Sequence, residues 1–131
     1  MDNLIIEETK YTPLVRFDSD SHVLEIRGES YPENIFEFYD PVLDWINAYL
    51  EEISENQSVI VNIELIYFNS NSSKILMTLF SMLQDAAIQG KKIVIHWYYD
   101  EENDISLEHG GEFREELKSL PFHLIQVQER S

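Results

Sequence analysis

The central part of the chain is a long apolar strand followed by an amphipathic helix and a second apolar strand. The first strand, Val59–Tyr67, is rich in β-branched residues and nearly continuous in apolar character, which indicates a central, largely buried strand. Helical spacing of apolar residues runs from about Ser73 to Gln89, Gly90 ends it, and Ile93–Tyr98 forms the next strand. Because two strands joined by a helix need a crossover connection, this order favours parallel neighbours in a sheet.

Two strands and a helix are predicted before this unit. Strands over Thr12–Asp18 and His22–Gly28 flank a short polar turn and should form an antiparallel hairpin. Asp40 stands where a helix N-cap is expected and Pro41 where the first helical residue is expected, so a helix should begin there. A short helical turn over Ile35–Tyr39 is expected to precede it.

The C-terminal part adds one more helix and one more strand. An acidic loop over Asp100–Asp104 leads to a short helix over Glu112–Ser119, which Pro121 ends, and His123–Val127 forms a last strand. The order β-β-α-β-α-β-α-β predicts a single α/β domain over residues 1–131, with a mixed sheet of about four to five strands and about three helices. The helices can pack on one face of the sheet or on both, and packing on one face would leave the other partly exposed.

The chain is strongly acidic. Nine Lys and Arg residues stand against 25 Asp and Glu residues, which gives a formal net charge of -16. Phosphate backbones and anionic lipid surfaces repel such a molecule, so nucleic acid and membrane surfaces are poor candidate partners and basic protein surfaces are good ones. The alternative interpretation is that the acidity only keeps the protein soluble.

The chain contains no cysteine, which excludes disulfides, thiol catalysis and thiolate metal sites. Acidic residues in the N-terminal segment Met1–Glu8 occupy the region where a signal peptide needs basic ones. No apolar run approaches the ~20 residues that a membrane-spanning helix needs. We therefore expect a cytoplasmic protein without membrane insertion.

No residue pattern indicates catalysis or a bound cofactor. Neither a glycine-rich phosphate loop nor a nucleophile elbow is present, and the histidines form no pair with metal-ligand spacing. The run Asp100–Asp104 fails the calcium-loop pattern because Ile105 and Gly111 hold the positions of the required glycine and glutamate. We predict no catalytic residue, metal or cofactor. A metal-dependent enzyme that uses His96 and Asp100–Asp104 is the alternative.

The segment Tyr67–Lys74 joins the central strand to the start of a helix and contains several hydroxyl groups. A helix start offers free backbone N–H groups and the positive end of the helix dipole, so a phosphate group there would gain hydrogen bonds and electrostatic stabilisation. The alternative is purely structural: Ser72 or Ser73 caps the helix and Ser70 makes a turn.

The stretch Gly28–Asn34 reads G-E-S-Y-P-E-N and resembles a signature of the SiaC family of bacterial regulatory phosphoproteins. Further segments resemble the family in the same order along the chain, namely Phe38–Pro41 with Trp45, Tyr67–Ser70 with Ser72–Lys74, Trp97–Asp100, Gly111–Phe113 and Leu120–Phe122. Together they cover nearly the whole chain.

The resemblance implies a STAS-like fold, as in anti-sigma-factor antagonists, and a phosphorylated hydroxyl at Ser70. Serine replaces the family's usual threonine there, and Ser72 is a weaker alternative acceptor. By resemblance, a histidine-kinase-like protein kinase adds the phosphate, a PP2C-type phosphatase removes it, and the unmodified form binds and activates a diguanylate cyclase. Such activation raises cyclic di-GMP and favours biofilm formation.

The physical hypothesis is a charge switch at the rim of the sheet, where a phosphate would repel a partner that docks apolar surface. The predicted partner-binding residues are the ones that strand-end loops bring to this rim, namely Tyr31, Pro32, Asn34, Tyr67, Phe68 and Asn69. Core packing is the alternative role for Tyr67 and Phe68. A scaffold or binding domain without phosphorylation is the alternative function.

Overall fold

Six strands form one sheet in the same order in which they occur along the chain. The structure is a computed structural model that describes residues 1–128. The strands are β1 (Leu4–Ile6), β2 (Leu14–Asp18), β3 (Val23–Ser30), β4 (Ser58–Phe68), β5 (Lys92–Asp100) and β6 (Phe122–Val127). The helices are α1 (Ile35–Glu52), α2 (Ser70–Ile88) and α3 (Asp104–Glu116).

The sheet is mixed, as the sequence predicts. Strands β1, β2 and β3 are antiparallel neighbours, whereas β3, β4, β5 and β6 are parallel, and one helix connects each parallel pair. The α/β class, the three helices and the mixed sheet are therefore confirmed. The strand count of six exceeds the predicted four to five because β1, only three residues long, is too short to show a periodic pattern.

All three helices cover the same face of the sheet. Right-handed crossovers between strands that follow one another in spatial order place every helix on one side. The burial of β4 agrees, because Val59, Val61, Ile63 and Leu65 are buried in the core whereas the alternating Asn62 is only partly buried. The face without helices carries a polar row across the sheet, formed by Arg16, Glu25, Asn62, His96 and His123.

Each helix begins at an asparagine cap, and each begins earlier than the sequence patterns indicate. The side-chain oxygens of Asn34, Asn69 and Asn103 accept hydrogen bonds from the backbone N–H groups three residues further on, at 3.1, 2.9 and 3.0 Å. The predicted N-cap at Asp40 is therefore wrong. The Asn34 side chain satisfies the otherwise free N–H group of Glu37, and α1 begins at Ile35, so the predicted turn over Ile35–Tyr39 belongs to α1 itself.

The acidic run Asp100–Asp104 is not a separate loop. Asp100 is the last residue of β5 and Asp104 is the first residue of α3, so only residues 101–103 connect the two elements. The last helix consequently starts at Asp104 instead of Glu112. Acidic side chains are favourable at this end of a helix because the N-terminal end of the dipole is positive.

Candidate functional site

Ser70 is exposed and is the first residue of α2, directly after the end of β4. Asn69 caps the helix by accepting a hydrogen bond from the Ser72 N–H at 2.9 Å, and the Asn69 carbonyl accepts one from the Ser73 N–H at 2.9 Å. The N–H groups of the first helical residues have no acceptor within the helix itself. The predicted acceptor thus lies on the surface, at the positive end of α2, where an anionic group is electrostatically favoured.

Ser72 lies in a different environment from Ser70. Its side chain is fully buried, with 0% exposure, and its hydroxyl donates a hydrogen bond to the Ser30 carbonyl oxygen at 2.9 Å. A kinase could reach this hydroxyl only after the first turn of α2 had opened. The structure therefore disfavours Ser72 as the alternative acceptor. It also assigns the capping role to Asn69 instead of Ser72 or Ser73.

A β-bulge near the end of β4 decides which aromatic ring faces solvent. The register between β3 and β4 shifts after the Gly28–Leu65 pair, so that Glu29 lies opposite Tyr67 instead of Ile66. Ile66 and Tyr67 are both exposed as a result, whereas Phe68 turns into the core. The Asn103 side-chain amide donates a hydrogen bond to the Ile66 carbonyl at 3.0 Å, which satisfies the bulged backbone.

Phe68 is consequently a core residue. It has 8% exposure, and its ring packs against Trp97, His109 and Phe113. Its predicted role as a partner-binding side chain is corrected, because the bulge moves it from the surface side of the strand to the helix-covered side. The alternative prediction of core packing holds for Phe68 but not for Tyr67.

Three tyrosines form an edge-to-face series beside the start of α2, which we call the tyrosine rim. The ring centroids of Tyr11 and Tyr31 are 5.3 Å apart, and those of Tyr31 and Tyr67 are 5.5 Å apart. Tyr11 and Tyr67 are each 51% exposed. Desolvation, and to a smaller extent the charge of Glu29, raises the pKa of Tyr31 above its usual value.

The other predicted rim residues divide between structural and exposed roles. Pro32 is partly buried and follows Tyr31 directly. Asn34 and Asn69 lie at the predicted end of the sheet, but their side-chain oxygens are engaged as helix caps. The sequence does not indicate a role for Tyr11, because it lies before β2, in a segment without a periodic pattern.

Beneath the rim, three buried hydroxyl groups are in contact. The Ser30 Oγ lies 2.5 Å from the Tyr39 Oη and 2.8 Å from the Ser72 Oγ. All three side chains have 0% exposure. Burial raises the pKa of Tyr39 to about 12, with hydrogen bonds to Ser30 and Ser72 opposing the shift, so the cluster carries no charge at physiological pH.

The heptad Gly28–Asn34 supplies several of these features in one short segment. Gly28 has a φ of +125°, in the region that glycine tolerates best, at the point where the register shifts. Ser30 is in the buried hydroxyl cluster, Tyr31 is in the rim and Asn34 caps α1. The heptad thus connects the end of β3 to both the tyrosine rim and α1.

The residues of the metal-dependent alternative do not converge. His96 lies on the sheet face without helices, beside His123, with the two ring centroids 5.9 Å apart. Across residues 1–128, no group of three or more His, Cys, Asp or Glu side chains is arranged to hold a metal ion. Within the same residues, no helix combines the length and apolar character that crossing a membrane requires.

The fold and the site together define a mixed α/β domain with an exposed hydroxyl at a helix start beside an aromatic rim. Residues 6–127 match the model of the SiaC family regulatory phosphoproteins. The chain therefore belongs to the SiaC family, and the resemblance seen in its motifs is confirmed.

Solved structures of SiaC from Pseudomonas aeruginosa share the fold. One match is to the crystal structure of the diguanylate cyclase SiaD in complex with its activator SiaC, with 31% identity, 95% of this chain and 99% of that chain covered, and a TM-score of 0.89. Apo-SiaC matches with 29% identity, the same coverage of 95% and 99%, and a TM-score of 0.85. An uncharacterised protein of Pseudomonas aeruginosa strain UCBPP-PA14 is 33% identical over 122 residues, which are 93% of this chain and 94% of that protein.

Proposed function

We propose that this protein is a phosphorylation-switched adaptor whose unmodified form binds and regulates a partner protein. The observation that carries the proposal is the placement of Ser70, which is exposed at the first position of α2 and lies close in the chain to the exposed ring of Tyr67. A hydroxyl in this position is accessible to a modifying enzyme and adjacent to a surface suited to protein contact.

The proposed partner is a diguanylate cyclase. SiaC of Pseudomonas aeruginosa is described as the activator of the cyclase SiaD, and this chain shares its family and fold. On this basis the unmodified protein activates a cyclase, raises cyclic di-GMP and favours biofilm formation. The protein itself contributes no catalytic group, and it acts in the cytoplasm, where a cyclase of this kind has its nucleotide substrate.

The proposed switch is electrostatic. A phosphate on Ser70 adds roughly -1.5 to -2 charges at the edge of the rim. Tyrosines offer large apolar area with a polar tip, and such residues often dominate binding energy at protein interfaces. A partner that buried this rim would have to desolvate the new charge, and a penalty of about 2.7 kcal/mol would weaken binding about a hundredfold.

The modification is assigned to a histidine-kinase-like protein kinase and its removal to a PP2C-type phosphatase, both inferred from the family resemblance. The exposure of Ser70 supports access by both enzymes. Phosphorylation also suits the site energetically, because the N-terminal end of α2 favours negative charge and phosphorylation at Ser70 need not open the buried contacts of Ser72.

The test combines phosphosite mapping with a cyclase assay. Protein isolated from its native cells is analysed by intact mass and peptide mapping, and a diguanylate cyclase purified from the same cells is assayed for cyclic di-GMP with added wild type, Ser70→Ala or Ser70→Asp. We expect one phosphate on Ser70, activation by wild type and Ser70→Ala, and loss of activation with Ser70→Asp. Ser73→Asp, three residues along the same helix, is the matched charge control.

Two results would count against the proposal. Activation by Ser70→Asp equal to that of wild type would argue against the charge switch. Absence of phosphate under every growth condition would favour the alternative of a binding domain without phosphorylation.

A further inference from the structure

We propose that the hydroxyl groups of Tyr39, Ser30 and Ser72 form a directed hydrogen-bond chain that holds the Ser70 segment and the tyrosine rim in one fixed arrangement, the arrangement that the partner recognises. The role in partner recognition rests on the proposed function. In this view Tyr39, Ser30 and Ser72 are positioning residues that do not themselves contact the partner.

The direction of the chain follows from counting protons. Each hydroxyl has one proton to donate. Because the Ser72 hydroxyl donates its only proton to the Ser30 carbonyl oxygen, the Ser72 Oγ must accept the proton of the Ser30 hydroxyl in their contact. The Ser30 Oγ must in turn accept the proton of the Tyr39 hydroxyl. The chain therefore runs from Tyr39 to Ser30, from Ser30 to Ser72 and from Ser72 back to the Ser30 carbonyl, with every proton used once.

The Ser30 carbonyl oxygen anchors the polypeptide on both sides of Ser70. It accepts hydrogen bonds from the Asn69 N–H at 3.1 Å and from the Ser72 hydroxyl at 2.9 Å. These donors come from the residue immediately before Ser70 and from the residue two positions after it. Movement of the Ser70 segment away from β3 would therefore break both bonds. It would also break the hydrogen bond between the Ser30 and Ser72 hydroxyl groups.

The same strand end continues directly into the rim. Tyr31 follows Ser30, and its backbone N–H donates a hydrogen bond to the Tyr11 carbonyl at 2.8 Å. The Tyr31 ring contacts the rings of Tyr11 and Tyr67. Since Ser30 is bonded to the helix start and Tyr31 to the rim, one peptide unit links the predicted phosphorylation site to the predicted docking surface.

Tyr39 anchors this unit to α1. Removal of its hydroxyl leaves the Ser30 Oγ, which is fully buried, without the proton it accepts. Buried polar groups that lose a partner are costly because water cannot replace the lost bond. We therefore expect Tyr39→Phe to loosen the Ser70 segment and the rim together, although the substitution lies in neither.

The experiment measures amide hydrogen exchange of the isolated protein at Tyr31, Asn69 and Ser72, whose N–H groups are all hydrogen-bonded. Tyr49→Phe is the matched control, since Tyr49 lies on the same helix, is also buried, and its hydroxyl bonds to the His22 Nδ1 at 2.6 Å instead of to the chain. We expect exchange at the three amides to be faster by on the order of five- to tenfold in Tyr39→Phe and to change little in Tyr49→Phe.

Ser72→Ala provides a second variant if Tyr39→Phe fails to fold, and it should accelerate the same amides. Equal acceleration by Tyr39→Phe and Tyr49→Phe would overturn the proposal, because it would indicate only a general loss of stability. No acceleration in Tyr39→Phe would overturn it as well.

The cyclase assay then separates this inference from the proposed function. We expect Tyr39→Phe to raise the protein concentration needed for half-maximal activation while the maximal activation stays unchanged. If Ser70→Asp abolishes activation but Tyr39→Phe behaves as Tyr49→Phe in both measurements, the phosphorylation switch is supported and the hydroxyl chain has no positioning role. If Tyr39→Phe accelerates exchange but Ser70→Asp activates as wild type does, the positioning role is supported and the phosphorylation switch is contradicted.

Discussion

The Lys91 Nζ donates a hydrogen bond to the carbonyl oxygen of Ile53 at 3.0 Å and another to the carbonyl oxygen of Leu50, and so caps the C-terminal end of α1 from outside the helix. This end of α1 carries Glu51 and Glu52 and has no basic residue in its last turn. A cation from another part of the chain therefore supplies what the helix sequence lacks, a positive charge at the negative end of the dipole.

Replacement of this lysine should lower stability. Lys91→Met keeps most of the side-chain length but removes both hydrogen bonds, so we expect the free energy of unfolding to fall by about 1–2 kcal/mol. Urea unfolding monitored by circular dichroism provides the measurement. Lys92→Met is the control, because Lys92 is exposed at the start of β5, and equal losses for both variants would contradict the capping role.

Two adjacent glycines in α3 should respond in opposite ways to substitution by alanine. A Cβ atom at Gly110 would lie 2.6 Å from the Trp97 side chain, whereas one at Gly111 would meet nothing within 4 Å. We expect Gly110→Ala to lower the free energy of unfolding by about 1–3 kcal/mol through overpacking. Gly111→Ala should raise it by up to about 1 kcal/mol because alanine has the higher helix propensity. Thermal unfolding of both variants tests this, and similar behaviour would mean that the contact of Gly110 with Trp97 has no energetic importance.

The tyrosine rim should contribute to partner binding without contributing much to folding. Tyr67 is 51% exposed, so Tyr67→Ala should change the free energy of unfolding by less than about 1 kcal/mol. Loss of an aromatic anchor at an interface typically weakens binding by about tenfold or more. Affinity for the cyclase can be measured by titration calorimetry, with Ile88→Ala as the control because Ile88 is exposed at the opposite end of α2.

Buried Tyr39 should make the fold sensitive to alkaline pH. Burial raises its pKa to about 12 from the ordinary tyrosine value of 10.0. The pKa of Tyr39 is therefore higher in the folded state than in the unfolded state. Below pH 10 the hydroxyl is neutral in both states, and its contribution to the free energy of unfolding is complete. Between pH 10 and 12 this contribution falls, because the hydroxyl ionises in the unfolded chain but stays neutral in the folded one. Urea midpoints measured across this range should fall less steeply for Tyr39→Phe than for the exposed-ring control Tyr67→Phe.

The sequence predicts the main elements of this fold, and its errors are concentrated at the helix starts. The central strand, its helix and the next strand were found because their hydrophobic periods extend over many residues. The sequence does not reveal the three asparagine caps, because an asparagine side chain can equally well make a turn. Only the folded backbone shows that Asn34, Asn69 and Asn103 each accept from an N–H group three residues later.

The position of Ser70 was predictable, but its surroundings were not. The family resemblance predicts Ser70 as the acceptor, and the periodic pattern predicts a helix start close to it. The burial of Ser72 and the contacts of Ser30 with Tyr39 depend on segments that are far apart in the chain, and no local pattern reports them. Tyr11 joins the rim for the same reason, through a hydrogen bond from Tyr31 across the loop between β1 and β2.

The β-bulge in β4 has a consequence for how this surface can change during evolution. Alternation along a strand assigns neighbouring side chains to opposite faces, so one additional residue reverses the assignment of everything that follows it. Here that reversal gives the outward position to Tyr67 and the inward position to Phe68. Chain length at this point, and not the choice of aromatic residue, determines which ring faces solvent, so a one-residue deletion would exchange the buried and the exposed ring while leaving the composition of the segment almost intact.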